Sequence, residues 1–163
     1  PHDHLPVRER SCPRRPLQCA PEARAGHAAG RDANVSESTE QMALVEFATL
    51  FQDRIPELTW LFHVPNGEKR DKATAGRLKQ LGVKRGVPDL WLPVARYDPA
   101  LNITRTGLVI ELKFGRNKET QEQRAWLGFL ARQGWEVRTC YDWRAAARVL
   151  VAYLGHNPME FGL

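Results

Sequence analysis

The chain has 163 residues, with 24 Lys and Arg against 19 Asp and Glu and a formal net charge of +5, a length that suits one domain with an adequate core and a balance that favours a polyanionic partner such as nucleic acid. No apolar run approaches the roughly twenty residues of a transmembrane helix and the N-terminal region lacks the apolar stretch of a secretory signal, so a soluble cytoplasmic protein without a membrane partner is expected. Cys12, Cys19 and Cys140 form an odd set without the close spacing of a zinc site, which indicates neither a disulfide framework nor structural zinc. Residues 1–35, rich in Pro, Arg, Ala and Gly with little apolar periodicity, are expected to be a disordered basic tail. Folded sequence begins at Ser36, which has the character of an N-cap, with Glu37 and Glu40 in the first turn to complement the helix dipole. The apolar stripe of that helix runs through Leu44, Phe47, Ala48 and Phe51, and helical spacing carried back along the same face reaches Glu40 and Glu37.

After Pro56 the run Leu58 to Val64 reads as a first strand closed by the turn Pro65-Asn66-Gly67, with His63 and Asn66 as minor candidates for a site. A basic stretch follows, in which Lys69, Arg70, Lys72, Arg77, Lys79, Lys84 and Arg85 outnumber Glu68 and Asp71 and include a short helix. These residues can hold a phosphate backbone in register without reading sequence, or simply face solvent. Gly86 to Pro93 is a second apolar strand with Asp89 near its start, and Ala95 to Asn102, centred on Asp98-Pro99, carries turn chemistry. The third strand, Gly107 to Phe114, alternates so that Glu111 and Lys113 share one face while Ile110 and Leu112 point into a core. A hairpin between the two strands sets Asp89 beside Glu111. Two carboxylates so placed repel unless something positive lies between them, and a hard divalent cation such as Mg²⁺ is the simplest solution. Lys113 can then orient or help deprotonate a water. The bland alternative is a solvated surface pair between Glu111 and Lys113.

Beyond the loop Gly115 to Lys118, Thr120-Gln121-Glu122-Gln123 has the form of a capping box opening a helix through Trp126, Phe129, Leu130 and Gln133, ended by Gly134. Gln123 therefore stands in a first turn near the end of the third strand, as a capping side chain or a site residue. Trp135 to Tyr141 makes a fourth strand, and Asp142 caps a last helix through Leu150 and Leu154, closed by Gly155. Residues 36–155 thus form an α/β domain ordered helix, three strands, helix, strand, helix, and residues 156–163 a short C-terminal tail.

The joint pattern resembles the PD-(D/E)XK nuclease superfamily, and within it VRR-NUC domains of the small stand-alone phage and bacterial type. The resemblance rests on Ser36-Glu37 with Gln41, on His63-Val64-Pro65-Asn66-Gly67, and on Gly82 to Asp89. It extends through Ile110-Glu111-Leu112-Lys113 and Thr120 with Gln123 and Gly134. It implies a restriction-endonuclease-like core, a mixed central sheet of about four strands flanked by helices in the order αβββαβ. It also implies a Mg²⁺- or Mn²⁺-dependent DNA endonuclease, with Asp89, Glu111 and the backbone carbonyl of Leu112 as metal ligands and Lys113 assisting the attacking water. Gln123 corresponds to the supporting glutamine of the family, ahead of Gln121. Glu37 fits the helix carboxylate best, with Glu40 as alternate. Family members of this size resemble nucleases acting on branched DNA, flaps or four-way junctions, some as homodimers, in a bacterial or phage-infected cell. A catalytically inert nucleic-acid-binding module is the alternative function.

Overall fold

The computed structural model describes residues 17–18, 36–65 and 72–163. Its elements are β1 (Leu17–Gln18), α1 (Glu37–Phe51), a 3₁₀ turn (Pro56–Trp60), β2 (Phe62–His63), α2 (Lys72–Gln80), β3 (Leu90–Leu92), β4 (Arg96–Asp98), β5 (Ile103–Arg105), β6 (Leu108–Leu112), α3 (Gln121–Arg132), β7 (Glu136–Cys140), α4 (Trp143–Tyr153) and a second 3₁₀ turn (Pro158–Phe161). The central sheet has the order β1-β7-β6-β3-β2. β6 pairs parallel with β7, and β3 lies antiparallel to both β6 and β2. The parallel step from β6 to β7 needs a crossover, and α3 supplies it.

The mixed α/β architecture inferred from the sequence is present, with helices on both faces of the sheet. Leu108, Ile110 and Leu112 of β6 join Leu90 and Leu92 of β3 in a core closed by Leu44 and Phe47 of α1 and by Ala146, Ala147, Leu150 and Val151 of α4. The opposite face of β6 gives Val109 to a smaller cluster with Leu127, Leu130 and Val137, walled by Trp91, Trp126 and Trp135. All five residues of β6 are buried, as expected for a strand covered on both faces.

Helix starts follow the local chemistry. The Ser36 hydroxyl accepts the Thr39 N–H at the head of α1, Thr120 and Gln123 form a capping box at α3, and the Asp142 carboxylate accepts the Ala145 N–H at 2.7 Å. Two stretches differ from the sequence reading. The strand expected over 58–64 is reduced to Phe62–His63, because Pro56 pre-sets a helical turn in which Leu58 N–H bonds Ile55 O at 3.0 Å and Leu61 N–H bonds Leu58 O at 3.1 Å. The segment expected as a simple turn over 95–102 instead opens into the ribbon β4–β5, whose tip is held by the Asp98 carboxylate accepting the Ala100 and Leu101 N–H groups and by Asn102 at φ 52°.

At the C-terminus, the eight residues read as a short tail include the second 3₁₀ turn, which packs through Phe161. Phe161 is buried, meets Phe51 edge to face at 5.2 Å, and lies under the Arg54 guanidinium at 4.4 Å. Of the tail read as disordered, Leu17–Gln18 pair in parallel with Arg138 and Thr139 of β7, and the remainder of residues 1–35 lies outside the described residues, as do Asn66, Lys69 and Arg70. No described helix is long and apolar enough to cross a membrane.

Candidate active site

Asp89 stands one residue before β3, and Glu111 is the fourth residue of β6. The register Leu90↔Ile110, continued one step, sets Asp89 directly across from Glu111, and opposed residues of an antiparallel pair project to the same face. Asp89 is fixed there by its own carboxylate, since Oδ2 accepts the Leu112 N–H at 2.9 Å. The side chain thereby takes the place of a strand partner where the β3 ladder ends.

Glu111 is wholly buried and Lys113 only 5% exposed, which removes the reading of a solvated surface pair. Lys113 Nζ donates to Glu111 Oε1 at 2.6 Å, and its ammonium lies 3.7 Å from Glu37 Oε1 at the start of α1. From the other side Gln123 Nε2 donates to the same Oε1 of Glu111, while Gln123 Oε1 accepts the Thr120 N–H at 2.8 Å. One amide thus caps α3 and holds the carboxylate, and the two contacts together set its orientation. Gln121 is exposed at the first position of α3.

The helix glutamates part company. Glu37 reaches Lys113, whereas Glu40 Oε2 accepts the Trp143 N–H at 2.7 Å and so caps α4, satisfying one of its orphan donors. His63 is exposed, and its Nδ1–H donates to the Asp89 carbonyl at 2.9 Å, tying β2 to the backbone of the acidic residue. Of the basic stretch, Arg77, Lys79, Lys84 and Arg85 are exposed. Lys72 opens α2.

Sequence reading passed over the parts that aim this cluster. The loop before Asp89 is pinned by two indoles, with Trp126 Nε1–H donating to Arg85 O at 3.0 Å and Trp91 Nε1–H donating to Pro88 O at 2.9 Å. Between them Gly86 has φ +75°, and a Cβ there would fall 2.7 Å from the backbone carbon of Glu122 and 2.8 Å from the Gln123 nitrogen. Glycine lets this loop lie directly on the first turn of α3. In the sequence Gly86 marks a strand boundary and Trp126 an apolar helix position, with no sign that they meet.

The electrostatics follow from burial and proximity. Burial, reinforced by the neighbouring Asp89 charge, pushes the Glu111 pKa up to about 8 against the pull of Lys113. Burial also raises Asp89, partly offset by its hydrogen bond from Leu112. For Lys113, burial works against the ammonium, yet the hydrogen bond to Glu111 and the surrounding carboxylates hold its pKa above the ordinary value. Glu111 Oε2 is buried without a hydrogen-bond partner among the described residues. An unsatisfied buried carboxylate oxygen facing a second carboxylate fits a small hard cation. Among the described residues no group of three or more His, Cys, Asp or Glu side chains converges. Such an ion would therefore rest on Asp89, Glu111 and a main-chain oxygen such as that of Leu112, leaving positions for water and phosphate oxygens.

Comparison with known proteins gives a family and a fold. Residues 38–143 match the VRR-NUC domain family, a span that includes Asp89, Glu111, Lys113 and Gln123 and begins one residue after Glu37. Among solved structures the chain is similar to a VRR_NUC domain protein, with a TM-score of 0.60 and 24% identity, covering 76% of this chain and 92% of that one. No curated protein sequence matches it.

Two predictions follow from the packing and the charges. With its pKa raised from 4.5 to about 8, folded Glu111 keeps a proton that the unfolded chain has released, so stability without metal falls as pH rises through that interval. Thermal unfolding in chelator should show this slope and Glu111→Gln should flatten it; equal slopes in both proteins would contradict the buried-acid assignment. Gly86→Ala should destabilise the fold by about 1–2 kcal/mol from its left-handed backbone alone, with a further loss from the contact on α3. An unchanged urea midpoint would count against that close approach.

Proposed function

The chain belongs to the VRR-NUC domain family, a nuclease-type domain of the PD-(D/E)XK superfamily whose substrate is nucleic acid, and from that premise we propose a Mg²⁺- or Mn²⁺-dependent DNA endonuclease selective for branched DNA, flaps or four-way junctions. The observation that carries the reading is the buried cluster of Asp89, Glu111, Lys113 and Gln123, with one Glu111 oxygen left without a partner.

A divalent ion held by Asp89, Glu111 and the Leu112 carbonyl would polarise a phosphoryl oxygen and lower the pKa of a bound water. The chain's own residues supply the rest. The Leu112 N–H fixes the Asp89 carboxylate and Gln123 fixes that of Glu111, so neither must reorganise as the phosphodiester arrives. Lys113 has two parts open to it, orienting the attacking water or taking its proton. The raised pKa favours the first, because a lysine that keeps its proton can donate to the water and offset charge developing on the phosphate. Glu37 in turn faces the Lys113 ammonium and holds it at the site. Exposed Lys79, Lys84 and Arg85 contact the phosphate backbone, which positions the strand without reading bases. A homodimer would offer two such sites to two strands related by a two-fold axis.

The test is cleavage of labelled linear duplex, single strand, flap and four-way junction DNA with Mg²⁺, with Mn²⁺ and with chelator. Cleavage should require the metal and favour the branched substrates; equal cutting of linear duplex would remove the selectivity. Asp89→Ala and Lys113→Ala should each lower the rate at least about a hundredfold in protein shown to be folded, and a wild-type rate in either would sink the site. Charge reversal at Lys84 and Arg85 should weaken binding to every DNA sequence and flatten its salt dependence. A loss confined to particular sequences would contradict backbone contact.

A further inference from the structure

We propose that Phe62 on the edge strand β2 and Trp60 at the end of the 3₁₀ turn that leads into it form a nucleobase-stacking platform beside the active site, for an unpaired stretch of the strand being cut. The proposal rests on the nuclease reading and names the part of the substrate that this reading leaves open.

β2 is the terminal strand of the sheet. Phe62 pairs with Trp91, and Trp91 with Val109. Opposed residues share a face, so Phe62 lies on the face that carries Val109 and, two residues further along β6, Glu111. Between the two rings Leu61 turns into the core beneath α1 and α4, leaving Trp60 65% and Phe62 49% exposed. Neither stacks on another aromatic ring among the described residues. Large aromatics left in water beside a catalytic cluster call for an occupant.

The area and the charge say which. Two aromatic side chains offer about 150–250 Å² each, far short of the roughly 800 Å² per partner in a stable protein interface. A base needs only one ring face, and every base has one to give. Single-strand sites combine such rings with cations along the backbone, and exposed Lys84 and Arg85 stand on the loop that leads into Asp89. A closed duplex keeps its base faces stacked inside the helix, so only a flap, an end or an open junction can present them.

The experiment is binding of a labelled oligothymidine and of a blunt duplex, read by fluorescence anisotropy in chelator so that cleavage does not intervene. Trp60→Ala and Phe62→Ala should each weaken single-strand binding about tenfold, the scale of base–aromatic stacking, and leave duplex binding unchanged. Phe62→Tyr should keep the wild-type affinity and Phe62→Leu should lose it, which separates stacking from a merely apolar or structural role. Equal losses on both DNAs, full binding by the leucine variant, or no loss at all would overturn the platform. So would a wild-type dimer, seen by sedimentation, that the double alanine variant splits. Ring-dependent single-strand binding without cleavage in Mg²⁺ or Mn²⁺ would leave the platform standing and remove the nuclease. Metal-dependent cleavage with single-strand binding indifferent to the rings would do the reverse.

Discussion

The active-site cluster is arranged around one carboxylate kept out of water. Removing the charge of Glu111 from solvent is expensive unless it is paired and hydrogen-bonded, and here Lys113 at 2.6 Å and the Gln123 amide both serve a single oxygen. Replacing a buried ion pair by packed apolar groups commonly leaves a protein as stable or more so. Stability therefore does not account for the pair, nor for Asp89 being set opposite it. An arrangement that raises the pKa of two facing acids and leaves one oxygen over is one that waits for a positive ligand.

Such a cluster has to be held from several directions, and the fold does so with few contacts of high consequence. Burial of β6 on both faces fixes Glu111 and its neighbours against slippage, since a one-residue shift would send the acid into the apolar core under α1 and α4. The crossover helix α3 brings Gln123 to the end of the same strand. Its first turn is located by the bare backbone of Gly86, and the loop is held by the indoles of Trp126 and Trp91. The basic loop, the supporting amide and the two carboxylates are therefore one mechanical unit.

On the far side of the sheet the two glutamates of α1 divide the work. Glu40 closes the open N-terminus of α4 through a contact between residues 103 apart, while Glu37, one turn earlier, meets the Lys113 ammonium.

Alternation along β6 put Glu111 and Lys113 on one face, the Asp89 run and the following turn chemistry predicted an antiparallel partner, and the caps at Ser36, Thr120 and Asp142 marked three helix starts. These were legible because they depend on residues a few positions apart, where period and hydrogen-bonding reach are set by the backbone itself. The first strand was overestimated because Pro56 and the packing of Leu58 outweighed β propensity, and the turn at Asp98 was underestimated because a ribbon depends on cross-strand pairing that no local pattern announces. The separation of Glu37 from Glu40 was not legible either. Both lie on one helical face, and only the position of α4 and of Lys113 tells them apart. The sequence by itself determined which residues carry charge and on which face of each element they lie; the tertiary structure alone decided which of them meet, because burial, register and the close approach allowed at Gly86 are properties of elements brought together from distant parts of the chain.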